Sequence, residues 1–132
     1  MGMKASTAVE LHRAGLYNVD IVATRLVKIS PGYSKQTTRL RHWINYGLLQ
    51  VDRTFGGGKT KWRLLHRSEI AVAGILTILT DMGLDRSSFV LNIEKIREAA
   101  KTGLKQVTIK WTQISGVEQH DVWVNIEGLD LE

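Results

Sequence analysis

The chain has 132 residues, of which 43% are hydrophobic and 23% charged, as in an ordinary globular protein. This length suits one domain, and a single proline argues against a long disordered tract. The absence of cysteine excludes disulfides, thiolate metal sites and thiolate-based sensing. The sequence contains neither an apolar run long enough to span a membrane nor an evident secretory leader, so we expect a cytoplasmic protein.

Charge is divided unevenly along the chain. Residues 1–67 carry twelve Lys or Arg and three Asp or Glu, whereas residues 68–132 carry six and ten. A polyanion would therefore be attracted to the first half and repelled by the second, which makes nucleic acid a candidate partner. On charge alone, a solvated basic surface is an equally good interpretation.

Two short helices are predicted near one another in the basic half. Asn18 is a candidate N-cap for a helix that continues to residue 29, since apolar residues recur there at helical spacing. A Ser-Pro-Gly turn at residues 30–32 interrupts the pattern. A second helix is predicted over residues 34–46, with Ser34 as its N-cap and Gly47 as its end.

A β-hairpin is predicted over residues 51–65, because two alternating segments flank the glycine run 56–58. The strongly apolar segment that follows predicts a helix from Ser68 to Gly83, which we expect to be the central core element.

The glycine run and the following Lys-Thr resemble the end of a phosphate-binding loop. The first glycine of that motif and the helix after it are missing, so a hairpin tip is favoured.

The acidic half is predicted to contain one more helix and a strand pair. The helix begins at Asp85 and ends at Gly103. Its predicted buried stripe consists of Phe89, Val90, Ile93, Ile96 and Ala100. Alternating residues at 107–111 and 122–126 predict a terminal antiparallel hairpin, which either covers its own core or pairs with a second copy.

The predicted fold is mainly α with small β. It is a winged helix-turn-helix followed by a helix and a C-terminal antiparallel β-hairpin. We expect an N-terminal extension over residues 1–17, a DNA-binding domain over 18–83, and a dimerisation or interaction region over 84–132.

The second helix and the hairpin carry the residues expected to bind DNA. Arginine and lysine would neutralise phosphates, and side chains near the helix start would read base edges. The predicted phosphate contacts are Arg41, Arg53, Lys59, Lys61 and Arg63. The predicted reading residues are Gln36, Thr37, Thr38 and Arg39, with Lys35 and His42 on the same basic surface. Trp43 is expected in the core, behind the helix.

Three stretches resemble the MerR family of DNA-binding proteins. Residues 40–49, LRHWINYGLL, resemble its pattern of an arginine and two aromatic residues before Gly-Leu-Leu, with His42 in place of the first aromatic. Residues 62–70 resemble its hairpin and the following helix start, and residues 82–84 its next helix break. The resemblance covers roughly residues 18–97. It implies phosphate contacts by Arg41 and Arg63, and a hairpin aromatic at Trp62.

The sequence therefore predicts a homodimeric, sequence-specific protein that binds double-stranded DNA and regulates transcription. We expect no catalysis, cofactor or metal site, since the four histidines lack the spacing of a metal or catalytic site. One alternative is an excisionase-like architectural protein of a mobile element. Another is an antitoxin-like interaction module, whose C-terminal strands would augment the sheet of an unidentified protein partner.

Overall fold

The computed structural model describes the backbone of residues 10–11, 13–55, 62–102, 106–113 and 116–123, and the side chains of 10–11, 13–54 and 63–101. The helices described below are α1 (Val19–Leu26), α2 (Gln36–Asn45), α3 (Arg67–Asp81) and α4 (Arg86–Thr102). The strands are β1 (Leu16–Asn18), β2 (Val51–Phe55), β3 (Trp62–His66), β4 (Gln106–Gln113) and β5 (Gly116–Trp123). The protein is mainly helical, with a small three-stranded antiparallel sheet of order β1-β3-β2.

Helix α1 begins where its sequence predicts. The Asn18 side chain accepts a hydrogen bond from the N–H of Ile21 at 2.9 Å, so the predicted N-cap is confirmed. The helix ends at Leu26 and the chain continues in turns through residues 27–29, so it is shorter than predicted. The predicted N-cap of α2 is wrong: Lys35 occupies that position, and its side chain makes no capping hydrogen bond.

Helices α2 and α3 end in the same way. Gly47 and Gly83 adopt φ angles of +77° and +100°, in the left-handed region that favours glycine. After α2, the N–H of Leu48 donates to the carbonyl of Trp43 at 2.9 Å, and α3 ends with the equivalent bond. This is a Schellman motif, which satisfies carbonyls at the helix end. The two glycines confirm the predicted ends.

The three-stranded sheet contains one element that the sequence did not predict. Strand β1 pairs with β3, and its Leu16 and Tyr17 are buried. The expected N-terminal extension over residues 1–17 therefore overlaps the sheet. The predicted hairpin is present as β2 and β3, with Thr54 opposite Arg63 and an irregularity in register between Val51 and Arg53.

Helix α3 is the centre of the core, as predicted, because residues on almost every side of it are buried. Helix α4 packs beside it through Phe89, Ile96 and Ala99. The prediction for Val90 is wrong: its exposed fraction is 58%, because it follows Phe89 on the outer side of the helix. The predicted helix start at Asp85 fits a capping bond, in which Asp85 Oδ1 accepts the N–H of Ser88 at 3.1 Å.

The C-terminal strands β4 and β5 form an antiparallel pair, as predicted, in register from Gln106 opposite Trp123 to Gln113 opposite Gly116. They make a two-stranded sheet that is separate from the first sheet. The predicted helix end at Gly103, the hairpin tip at 56–58 and residues 124–126 lie outside the described residues.

A buried ion pair joins α3, α4 and the chain that follows α2. The carboxylate of Glu69, near the start of α3, pairs with the guanidinium of Arg97 on α4, and their side chains are 8% and 19% exposed. The same carboxylate accepts the N–H of Gln50 at 2.6 Å, and Arg97 donates to the carbonyl of Leu48 at 2.8 Å. Two backbone groups between α2 and β2 are therefore fixed by one carboxylate and one guanidinium, which we call the Glu69–Arg97 clamp.

No helix in the described part of the chain is both long enough and apolar enough to cross a membrane.

Replacing Arg97 by alanine should lower the free energy of unfolding by about 3 kcal/mol, because the buried Glu69 carboxylate loses its charged partner. Urea denaturation measures this loss. Arg53→Ala is the matched control, since Arg53 pairs with Asp52 on the surface and such a pair contributes about 1 kcal/mol or less. Equal effects of the two substitutions would contradict the role given to the clamp.

Candidate nucleic-acid interface

Helix α2 has two chemically different faces. Its inner face buries Leu40 and Trp43, and the Trp43 ring meets Phe89 of α4 edge to face with 6.4 Å between centroids. The expectation that Trp43 lies in the core is therefore confirmed, and the ring that packs against it is Phe89 of α4. Because the inner face is anchored in this way, the outer face is held in a fixed orientation.

The outer face is polar and basic. Thr38, Arg41, His42 and Asn45 are exposed there, and their spacing of three and four residues places them in one row along the helix. Among the described residues, no carboxylate lies within ion-pair distance of Arg41. This row, which we call the outer α2 row, presents a positive charge together with donors and acceptors of hydrogen bonds.

The β2–β3 hairpin continues this surface. Arg63 of β3 donates from Nη1 to Oδ1 of Asn45 at 3.1 Å, and both side chains are exposed. This hydrogen bond joins the end of the outer α2 row to the hairpin, although the two residues are 18 positions apart in the chain. Arg63 keeps further N–H groups for another partner, since a guanidinium has five.

The other predicted contact residues have different environments. Lys35 is exposed just before α2, and Thr37 is partly buried in its first turn. Arg53 is exposed on β2, where its Nε donates to Oδ2 of Asp52 at 2.8 Å, so part of its charge is balanced. Trp62 is the first residue of β3, opposite Phe55. Lys59 and Lys61 lie outside the described residues.

Gln36 is not on the outer face, and its predicted exposure is wrong. Its side chain is 4% exposed and donates from Nε2 to the carbonyl of Ser30 at 3.2 Å. It therefore connects the start of α2 to the turn after α1. Its Oε1 is buried and has no hydrogen-bond partner. A polar residue in the first turn of a helix can face inward as easily as outward, and here the inward position is also that of Leu40, one turn later.

Arg39 is likewise turned away from the outer face, against the prediction that it reads bases. Its side chain is 10% exposed and its Nη2 lies 3.7 Å from a carboxylate oxygen of Asp81, at the end of α3. The guanidinium carbon lies 3.7 Å from the centroid of the Tyr33 ring. Arg39 thus connects α2 to the end of α3 and to the preceding loop, which accounts for its burial.

Two aromatic residues and one arginine near α2 were not among the site residues predicted from the sequence. Tyr33 precedes the helix, Tyr46 follows it, and Arg86 begins α4 with its guanidinium carbon 4.2 Å from the centroid of the Tyr46 ring. Arg86 is 40 positions from Tyr46 in the chain, so no local sequence pattern indicates that the two residues are in contact. The two tyrosines flanking the helix could have drawn attention to an aromatic cluster.

No match to this chain was found among family models, curated proteins or solved structures. The MerR resemblance therefore rests on the sequence motifs, and the role of the surface rests on its own geometry and charge.

Replacing Gln36 by methionine should leave the free energy of unfolding unchanged or raise it by up to about 2 kcal/mol. The substitution removes a buried acceptor without a partner, whose burial costs about 1–3 kcal/mol, and loses one hydrogen bond worth about 1 kcal/mol. The Ser30 carbonyl keeps the N–H of Tyr33 at 3.2 Å. Urea denaturation tests this, with Leu40→Ala as a core control that should lose about 2–5 kcal/mol. A comparable loss in Gln36→Met would contradict it.

Proposed function

We propose that this chain is a sequence-specific DNA-binding protein with a winged helix-turn-helix, in which α2 enters the major groove and the β2–β3 hairpin acts as the wing. We further propose that it binds double-stranded DNA as a homodimer and regulates transcription. The observation that carries the proposal is the outer α2 row and its hydrogen-bonded continuation into the hairpin through Asn45 and Arg63.

The dimensions and the charge of this surface support the proposal. At about 1.5 Å per residue, the ten residues of α2 span about 15 Å, a short helix of the kind that the major groove admits. The buried inner face of α2 packs against the protein, so only the outer row is available to a duplex. The surrounding half of the chain is strongly basic, which favours contact with phosphates.

The exposed residues suggest a division of roles. Arg41 and Arg63 supply cationic groups for phosphate contacts, which position the protein without reading sequence. Thr38, His42 and Asn45 supply donors and acceptors for base edges. The Oδ1 atom of Asn45 already accepts from Arg63, so its amide N–H groups are the part left for bases. Gln36 and Arg39 have no part in reading, because both side chains are buried or nearly so.

The C-terminal hairpin supports the dimer. Strands β4 and β5 form a two-stranded sheet of their own, and β4 also lies close to α4. In the described part of the chain each of the two strands keeps one edge without a partner strand, and such an edge is a template for pairing with another chain. Pairing with the same hairpin of a second chain would give one continuous sheet across a two-fold axis. Two copies of α2 would then meet two half-sites of a symmetric DNA sequence.

Replacing Arg41 by alanine should weaken binding to all DNA sequences and reduce the slope of log affinity against log salt concentration by about one, because one phosphate contact is lost. Fluorescence anisotropy with a labelled duplex, chosen by selection from a random pool, measures both quantities. The stoichiometry at saturation should be two chains per duplex, and the selected sequence should be an inverted repeat.

Lys95→Ala is the control for net charge, because Lys95 is exposed and belongs to α4, not to α2 or the hairpin. It should change neither the affinity nor the slope by as much as Arg41→Ala. Equal effects of the two substitutions, or binding that does not depend on salt, would contradict the proposed surface.

A further inference from the structure

A small cleft lined by aromatic rings lies beside α2. Its volume is about 220 Å³, and its walls include Tyr33, Trp43, Tyr46 and Phe89. The aromatic cleft, as we call it, lies where α2 meets the turn between α3 and α4, so it is formed by residues far apart in the chain. Drug-sized ligands occupy sites of roughly 300–1,000 Å³, so this cleft fits a smaller molecule with one ring.

Two guanidinium groups also line the cleft. Arg39 stacks on Tyr33 at 3.7 Å and Arg86 on Tyr46 at 4.2 Å, each measured from the guanidinium carbon to the ring centroid. An arginine that stacks on a ring keeps the N–H groups at its edge for a second partner, and a carboxylate fits that edge. The cleft therefore combines aromatic walls with two cationic groups.

Arg39 is incompletely satisfied within the protein. Its side chain is nine-tenths buried, and its Nη1 atom has no hydrogen-bond partner. The nearest carboxylate oxygen, on Asp81, is 3.7 Å from Nη2, which is longer than a hydrogen bond. A guanidinium without a carboxylate at hydrogen-bond distance is unfavourable when it is largely buried, and an anion bound in the cleft, which Arg39 lines, would balance its charge.

The carboxylate on the wall of the cleft does not remove this need. Oδ1 of Asp85 accepts the backbone N–H of Ser88 at 3.1 Å and caps the start of α4. Asp81 is 44% exposed and faces Arg39 from the end of α3. The two arginines of the cleft therefore have two carboxylates nearby. One, on Asp85, caps α4, and the other, on Asp81, is beyond hydrogen-bond distance of Arg39.

We propose that the aromatic cleft binds a small planar organic anion, of the class of one-ring aromatic carboxylates. The ring packs against the aromatic walls, and the carboxylate pairs with Arg39 and Arg86. Because Arg39, Trp43 and Tyr46 belong to α2 or directly follow it, an occupant contacts the helix that we propose to enter DNA. The cleft is then an effector site beside the recognition helix, with His42 of the outer α2 row on its wall.

Isothermal titration of the full chain with benzoate tests this proposal, with benzamide as the uncharged probe of the same shape. Benzoate should bind at least about tenfold more tightly than benzamide, because only benzoate forms charge-assisted hydrogen bonds with the arginines. Inorganic phosphate should bind more weakly than benzoate, since it lacks a ring. Equal binding of benzoate and benzamide, equal binding of phosphate, or no benzoate binding at millimolar concentration would overturn the proposal.

Variants locate the site. Arg39→Gln and Arg86→Gln should each weaken benzoate binding by about tenfold or more. Asp81→Asn should strengthen it, because the substitution removes the carboxylate that competes for Arg39. Lys95→Gln removes one exposed positive charge outside the cleft and should leave benzoate binding unchanged.

Circular dichroism shows whether each variant is folded. If Arg39→Gln does not fold, the benzoate affinity of Arg86→Gln tests the proposal. An unchanged affinity in folded Arg39→Gln and Arg86→Gln, or an equal loss in Lys95→Gln, would overturn the proposal. The titration contains no DNA. A chain that binds benzoate but not a duplex therefore contradicts the proposed function alone, and the reverse result contradicts the effector site alone.

Discussion

The carboxylate of Glu69 and the guanidinium of Arg97 occupy the place where four elements of this protein meet. Each group has a second partner in the backbone between α2 and β2, the N–H of Gln50 and the carbonyl of Leu48. A charge buried without its partner is far more costly than an exposed one, so the pair fixes the segment that connects α2 to the hairpin. The orientation of the hairpin relative to α2 depends on this constraint.

The clamp makes the proposed DNA-binding surface possible. A helix of ten residues is marginal on its own, and its stability comes from tertiary packing of one face. Leu40 and Trp43 provide that packing, Gln36 and Arg39 add polar connections to neighbouring segments, and the remaining side is left to solvent. The hydrogen bond between Arg63 and Asn45 then unites helix and hairpin into one surface. The aromatic cleft lies beside the same helix, so both proposals involve α2.

The features that the sequence predicted are those set by local chemistry. Asn18 caps a helix, Gly47 and Gly83 end two others, and the apolar segment after Ser68 forms the central helix. In each case a residue type and its immediate neighbours determine the conformation. Strand β1 escaped prediction because three residues are too few to show an alternating pattern.

The features that the sequence missed depend on contacts between distant segments. Gln36 and Arg39 are polar residues in a basic helix, and local pattern gives no reason to bury them. Their burial follows from Ser30, Tyr33 and Asp81, whose positions only the tertiary structure supplies. The Glu69–Arg97 clamp likewise joins residues 28 positions apart and has no local signature. The exposed part of the candidate site, Thr38, Arg41 and Arg63, was predictable because helical periodicity and hairpin pairing decide exposure there.

We propose that the outer side of α2 and the hairpin bind a duplex together. The most direct measurement is the change in backbone amide chemical shifts of the isotope-labelled chain when a short duplex of mixed sequence is added at low salt. The largest changes should fall on Thr38, Arg41, Asn45 and Arg63, and amides on the exposed side of α4 should change little. Changes centred on α4, or no changes in α2 and β3, would contradict it.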